Sequence, residues 1–146
     1  MAQSERPHCH VCDAIQNDPP EREFLRDDLW YAGAAGEQPG WVRFQTLRHG
    51  DDWSWGLTTD ESARLGPMVR SLSAAIRAAT GAERVYIVGF GDNAMHFHML
   101  LMPCYPDTPR DWRGSNLLAH HREIANASEA ARVAKAIRAE LVAQRA

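Results

Sequence analysis

The sequence predicts an α+β chain, in which antiparallel strand pairs are combined with one long helix and a C-terminal helix. Three observations carry this. Residues 28–34 and 41–48 read as two strands joined by the turn-rich Ala35-Gly36-Glu37-Gln38-Pro39-Gly40, hence as a hairpin. Residues 83–91 and 95–103 read as a second pair, with Gly91-Asp92-Asn93 turning the chain between them. Residues 58–81 and the stretch after Asn126 instead repeat their apolar residues at helical spacing.

In chain order, His8-Cys9-His10-Val11-Cys12 opens a polar segment that ends at Pro19-Pro20. The first strand contains Leu29, Trp30 and Tyr31. In the second, Val42, Phe44 and Thr46 point to one side and Arg43, Gln45 and Leu47 to the other, the two-residue period of a strand with one polar face. His49-Gly50-Asp51-Asp52 ends it, and Trp53 and Trp55 follow in a loop as packing residues or as a stacking surface for a flat ligand. Thr58 and Glu61 have the spacing of a capping box, and Leu65, Met68, Val69, Leu72 and Ile76 continue the helix to Gly81; Pro67 should bend it or sit near its first turn. Val85, Tyr86, Ile87, Val88 and Phe90 have the composition of a buried strand. Residues 103–116 are irregular, with Arg110, Trp112 and Arg113, and the His120-His121 pair reads as solvent-exposed. Asn126 caps a last helix whose apolar stripe is Ala130, Val133, Ala134, Ile137 and Leu141.

At 146 residues the chain suits one domain, 1–146, with 1–20 as an N-terminal metal-binding segment and 106–146 as a less typical C-terminal segment. The formal net charge of -3 argues against nucleic acid and acidic membrane surfaces as partners. No apolar run approaches the ~18 residues that span a bilayer, and the first residues lack the apolar core of a signal peptide, so the expectation is a cytoplasmic protein. In a reducing compartment a Cys-x-x-Cys more often binds metal or does redox work than staples a fold. A redox pair belongs where a strand meets a helix; Cys9 and Cys12 have no preceding strand, which favours metal.

The stretch with most chemistry is Met95-His96-Phe97-His98-Met99-Leu100-Leu101-Met102-Pro103. In an extended strand His96, His98 and Leu100 share one face, and Met95, Phe97, Met99 and Leu101 the other. Imidazoles on a greasy strand are costly unless their nitrogens are bonded. A pair of core histidines satisfied by backbone groups is the plain reading. The alternative is zinc, which takes thiolates and imidazoles tetrahedrally: Cys9 and Cys12 supply two ligands, His49 and His96 are the best placed others, and His10 is a local rival. His98 would stay outside a closed shell, available as a nucleophile or a general acid/base. Asp92 and Asn93, in their turn, can aim backbone N–H groups and an amide at phosphate oxygens.

These residues resemble the histidine triad superfamily of nucleotidyl hydrolases and transferases, whose motif is His-x-His-x-His-x-x-Pro. The chain has His96-x-His98-x-Leu100-x-x-Pro103, with Gly91 at the family's glycine. Pro39-Gly40-Trp41-Val42 and Leu47-Arg48-His49 resemble the family's Pro-Gly-His strand and its Pro-Lys-x-His end; Leu57-Thr58-Thr59-Asp60-Glu61 resembles its helix start. Cys9-x-x-Cys12 is similar to the pair of the zinc-containing members. The resemblance implies an α+β fold, usually a homodimer, acting on the α-phosphate of a nucleotide or phosphorylated small molecule. By similarity to galactose-1-phosphate uridylyltransferases it implies a structural zinc on Cys9, Cys12, His49 and His96, and His98 as the nucleophile. Asn93 falls where the family places a polar group near the phosphate. Leu100 replaces the third His, Trp41 the His of Pro-Gly-His, and Gly33 a ribose- or phosphate-contacting Asn; Arg43, Arg48, Arg110 and Arg113 are the candidates to compensate. The alternative to an enzyme is a zinc protein of this fold that binds a nucleotide, or a less charged ligand, without nucleotidyl transfer.

Overall fold

The computed structural model describes residues 8–146; the first seven residues of the N-terminal segment, and the reading of them as lacking a leader, lie outside the described residues. Among the described residues five strands form one sheet: β1 (Glu23–Arg26), β2 (Trp30–Ala34), β3 (Val42–Thr46), β4 (Arg84–Val88) and β5 (His98–Cys104). Their order is β1-β2-β3-β5-β4, and every neighbouring pair is antiparallel. The helices are α1 (His10–Asn17), α2 (Thr59–Thr80), α3 (His121–Ile124) and α4 (Ala127–Gln144). None among the described residues is long and apolar enough to cross a membrane.

One face of the sheet carries the main core. Trp30, Ala32, Val42, Phe44 and Leu101 pack there against Met68, Leu72, Ala75 and Ile76 of α2 and Val133, Ala134, Ile137 and Leu141 of α4. Trp30 and Phe44 stack with ring centroids 4.7 Å apart. The long helix starts where its sequence dictates: Thr58 Oγ1 accepts from the Glu61 amide and the Glu61 carboxylate accepts from the Thr58 amide. It ends at Gly81, whose φ of 71° is the left-handed cap that glycine adopts without strain. Pro67 lies inside α2, beyond the first turn. Asn126 caps α4 as expected, accepting from the Glu129 amide.

The opposite face positions the site. Directly opposed residues in an antiparallel pair share a face, so the registers define three rows. Tyr31, Gln45 and His98 form one; Gly33, Arg43, Leu100 and Val88 the next. In the third, Trp41 packs with Met102 and Leu117. Residues 110–124, expected to be irregular at first, fold into short helical turns (Arg110–Trp112, Gly114–His120 and α3) that cover this third row. His120 is correspondingly not a free surface residue: it stacks on Trp112 at 4.3 Å with ring planes 7° apart, while His121 is exposed.

Four expectations change. The segment before Pro19-Pro20 is not merely polar: it contains α1, held because Val11 and Ala14, one turn apart, are buried and the Val11 carbonyl accepts from Gln45 Nε2 at 3.0 Å. β1 is an additional edge strand, with Phe24 in the core. The strand expected from residue 95 begins at His98, because His96 leaves the ladder to bond the Thr46 carbonyl. β4 and β5 do pair, but through the longer loop 89–97 rather than a tight turn at Gly91-Asp92-Asn93.

Candidate metal centre and active site

Four donor atoms converge at the carboxyl end of β3. Cys9 is the N-cap of α1 and Cys12 lies one helical turn on, so both thiols project from the same side of the helix. His49 follows β3, and His96 precedes β5. One donor atom from each of Cys9, Cys12, His49 and His96 lies within 4.8 Å of the others. The separations are 3.6 Å from Cys9 Sγ to His96 Nδ1, 3.4 Å from Cys12 Sγ to His96 Nδ1 and 3.2 Å from Cys12 Sγ to His49 Nδ1. Tetrahedral zinc with its usual bond lengths requires sulfur-to-nitrogen edges of about 3.5 Å. The residues therefore fit the ion in type, number and spacing.

Both imidazoles are prepared for this role by their far nitrogens. His96 Nε2 donates to the Thr46 carbonyl at 2.7 Å, and His49 Nε2 donates to Asp51 Oδ1 at 2.9 Å. A carbonyl or a carboxylate there fixes the proton on Nε2 and leaves the Nδ1 lone pair facing the thiols. His96 is 1% exposed. Burial lowers its pKa from the ordinary 6.5, opposed by the Thr46 hydrogen bond and assisted by the nearby His49 and His98. The neutral, ligating form is thus the favoured one. His10, the rival ligand, is not in the cluster: its ring meets His98 edge-on at 5.6 Å.

His98 stands apart from the four donors. Its Nδ1 donates to the His96 carbonyl at 2.8 Å, which leaves the lone pair on Nε2. Trp53 meets its ring edge-on at 5.3 Å. A cavity of about 310 Å³ is lined by His98, His10, Arg43, Asp92, Asn93 and Leu100, among others. The sheet and the 89–97 loop thus bring together five of the residues singled out from sequence: His98, Asn93, Asp92, Arg43 and Leu100. Trp41 is 4% exposed and does not line this cavity; it borders the adjoining apolar trough with Leu100 and Leu118. Burial lowers the His10 pKa, and its electrostatic interactions with His98, Arg43 and His8 lower it further. Arg48 points elsewhere, making a two-pronged pair with buried Glu61 at 3.0 and 2.9 Å. Arg113 pairs with Glu83 at 2.9 Å, away from the cavity.

Sequence reasoning missed two supports. Trp53, read as a packing residue, packs on Phe97 as well as His98, and holds the 89–97 loop: its amide donates to the Met95 carbonyl, and its indole fills the space beside Gly91. A Cβ on Gly91 would lie 2.9 Å from the indole, and its φ is +77°. The pairing of Trp53 with Gly91 had no signal in sequence spacing. Thr46, whose carbonyl orients His96, was visible only as one more strand residue.

No family model matches the sequence, and no curated protein does. Solved structures match in fold. A hypothetical histidine triad nucleotide-binding protein from Sulfolobus tokodaii superposes with a TM-score of 0.72 at 18% identity, over 94% of each chain. A zinc-bound histidine triad family protein from Mycobacterium smegmatis gives 0.67 at 15% identity, over 94% of this chain and 95% of that one. Diadenosine triphosphate hydrolase from Plasmodium falciparum, in complex with cyclomarin A, gives 0.63 at 12% identity, over 88% and 81%. The chain has the α+β fold of the histidine triad proteins.

Proposed function

We propose that the chain is a zinc-containing nucleotide hydrolase or nucleotidyltransferase of the histidine triad type, with His98 as its nucleophile. The observation that supports this most is the division of labour between adjacent imidazoles. His96 faces the thiols, whereas His98 faces a cavity with its Nδ1 already bonded. Cys9, Cys12, His49 and His96 would hold the zinc, which would fasten α1 and the N-terminal segment to the sheet.

His98 Nε2 would attack the α-phosphorus of a nucleotide conjugate. A phosphorus–nitrogen bond forms as the bond to the leaving-group oxygen breaks, and the leaving group departs with the electron pair. Water, or another acceptor hydroxyl, then forms a bond to the same phosphorus and releases its proton to the solvent; the phosphorus–nitrogen bond breaks, its electron pair returns to Nε2, and the imidazole is regenerated. The His96 carbonyl keeps the His98 ring in the reactive tautomer throughout.

Incubation with diadenosine triphosphate, the substrate named for one structural neighbour, tests this directly. A phosphorus–nitrogen adduct that disappears in His98→Ala is the expected result; turnover unchanged by that substitution refutes it. Leu100 and Gly33, apolar where the resemblance calls for polar groups, favour the second reading, a binding protein without nucleotidyl transfer. Saturable AMP binding with no adduct and no turnover would select it. A homodimer is part of the same proposal: β4 is an edge strand, and Ile87 within it and Phe90 just after it are 42% and 65% exposed. Light scattering should then give twice the 16.4 kDa chain mass.

A further inference from the structure

We propose that Arg43 is the anion-binding residue of the His98 cavity, supplying the polar contacts that positions 33 and 100 lack, and that the group it receives is a phosphoryl group. This rests on the reading of that cavity as a phosphoryl-transfer site. It comes from the register. Gly33, Arg43 and Leu100 are directly opposed on three adjacent strands, so the two apolar replacements flank a single guanidinium. Gln45, two residues along β3, is opposed to His98, which puts Arg43 one row from the nucleophile on the neighbouring strand. Arg43 and His98 line the same cavity of about 310 Å³.

The guanidinium is under-used where it stands. Its Nε is buried and has no hydrogen-bond partner among the described residues. Its one side-chain hydrogen bond among the described residues is a long one, 3.4 Å from Nη2 to Asp18 Oδ2. A buried donor without a partner is unfavourable, and a guanidinium offers five N–H groups in a fork that matches phosphate. Asp18 is meanwhile engaged by the Tyr31 hydroxyl at 3.0 Å. The neighbours make room for this arrangement. A Cβ on Gly33 would lie 2.8 Å from the Tyr31 hydroxyl, so no side chain fits at 33 beside the Tyr31–Asp18 pair. Leu100 presents nothing that competes for the guanidinium.

Zinc-loaded protein should be titrated calorimetrically with AMP, inorganic phosphate and adenosine. AMP should bind more tightly than adenosine. Arg43→Gln should weaken AMP about tenfold or more, the range for one charge-assisted contact, with adenosine unchanged; Arg43→Lys should recover part, as a point charge without the fork. Asp18→Asn separates binding from mere structural support. A structural role for the Arg43–Asp18 pair makes the two variants equivalent, whereas an anion site keeps or improves AMP affinity when Asp18 loses its charge. Equal AMP affinity in Arg43→Gln and the parent, equal affinity for AMP and adenosine, or no binding of phosphate or AMP would each overturn the proposal. The two readings fail separately. Arg43-dependent AMP binding without His98-dependent turnover leaves the anion site standing. His98-dependent turnover with KM and kcat untouched by Arg43→Gln overturns the anion site alone.

Discussion

Replacing Glu61 by alanine probes how the fold holds the metal centre in place. The carboxylate is 1% exposed and accepts three hydrogen bonds: Arg48 Nε at 3.0 Å, Arg48 Nη2 at 2.9 Å and the Thr58 amide at 2.8 Å. Truncation would leave the Thr58 amide without its capping partner, at a cost of about 1 kcal/mol. It would also release Arg48, whose side chain is 46% exposed and can rehydrate, so that contribution is discounted to about 1–2 kcal/mol. The expected loss is therefore about 2–3 kcal/mol, or roughly 4–12 °C in Tm for a chain of this size. Arg48 immediately precedes His49, so zinc affinity should fall as well. Urea unfolding and competitive zinc titration measure the two effects. The Arg48 hydrogen bond, more than any other influence, holds the Glu61 pKa below its ordinary 4.5. A depressed carboxyl pKa stabilises the folded state above 4.5 and loses that contribution as pH falls through the folded value. Glu61→Gln should therefore flatten the acid limb of the stability curve. A Glu61→Ala protein with the parent's urea midpoint and zinc affinity would refute the coupling.

Three further outcomes follow from the geometry. Because His96 is buried with its pKa below 6.5, the folded state binds fewer protons there than the unfolded chain, so the contribution of His96 to the stability of the metal-free protein should be flat above about pH 6.5 and fall below it; thermal unfolding of metal-free protein from pH 7.5 to 5.5 checks the sign. Gly91→Ala would press a methyl to 2.9 Å from the Trp53 indole at a φ of +77°, and should cost about 2–3 kcal/mol and lower kcat with zinc content unchanged; urea unfolding, steady-state kinetics and metal analysis read these. Leu72→Ala, in the core and not among the donors, should cost about 2–5 kcal/mol while leaving zinc stoichiometry at the parent's value, as denaturation and metal analysis would show.

Local chemistry was the legible part of the sequence. Thr58 and Glu61 announce the start of α2, and Asn126 that of α4, because a capping bond joins residues three apart and needs nothing else from the chain. The donor set was legible by type: thiols and imidazoles are the residues zinc takes, and folding brings Cys9, Cys12, His49 and His96 together. What spacing alone did not decide was His10 against the other histidines, since helix α1 determines which way that ring points. The helix itself was obscured because its apolar residues, Val11 and Ala14, are few and sit among Cys and His. β1 was obscured for a similar reason: four residues are too short a stretch to show a period. The position of Arg43 between Gly33 and Leu100 is a property of register, which only the assembled sheet contains.

Zinc X-ray absorption spectroscopy on the loaded protein tests most directly whether adjacent imidazoles divide the work. A shell of two sulfur and two nitrogen donors, unchanged in His98→Ala and losing a nitrogen in His96→Ala, is the expected result. A shell that changes when His98 is removed, or one without both thiolates, would contradict it.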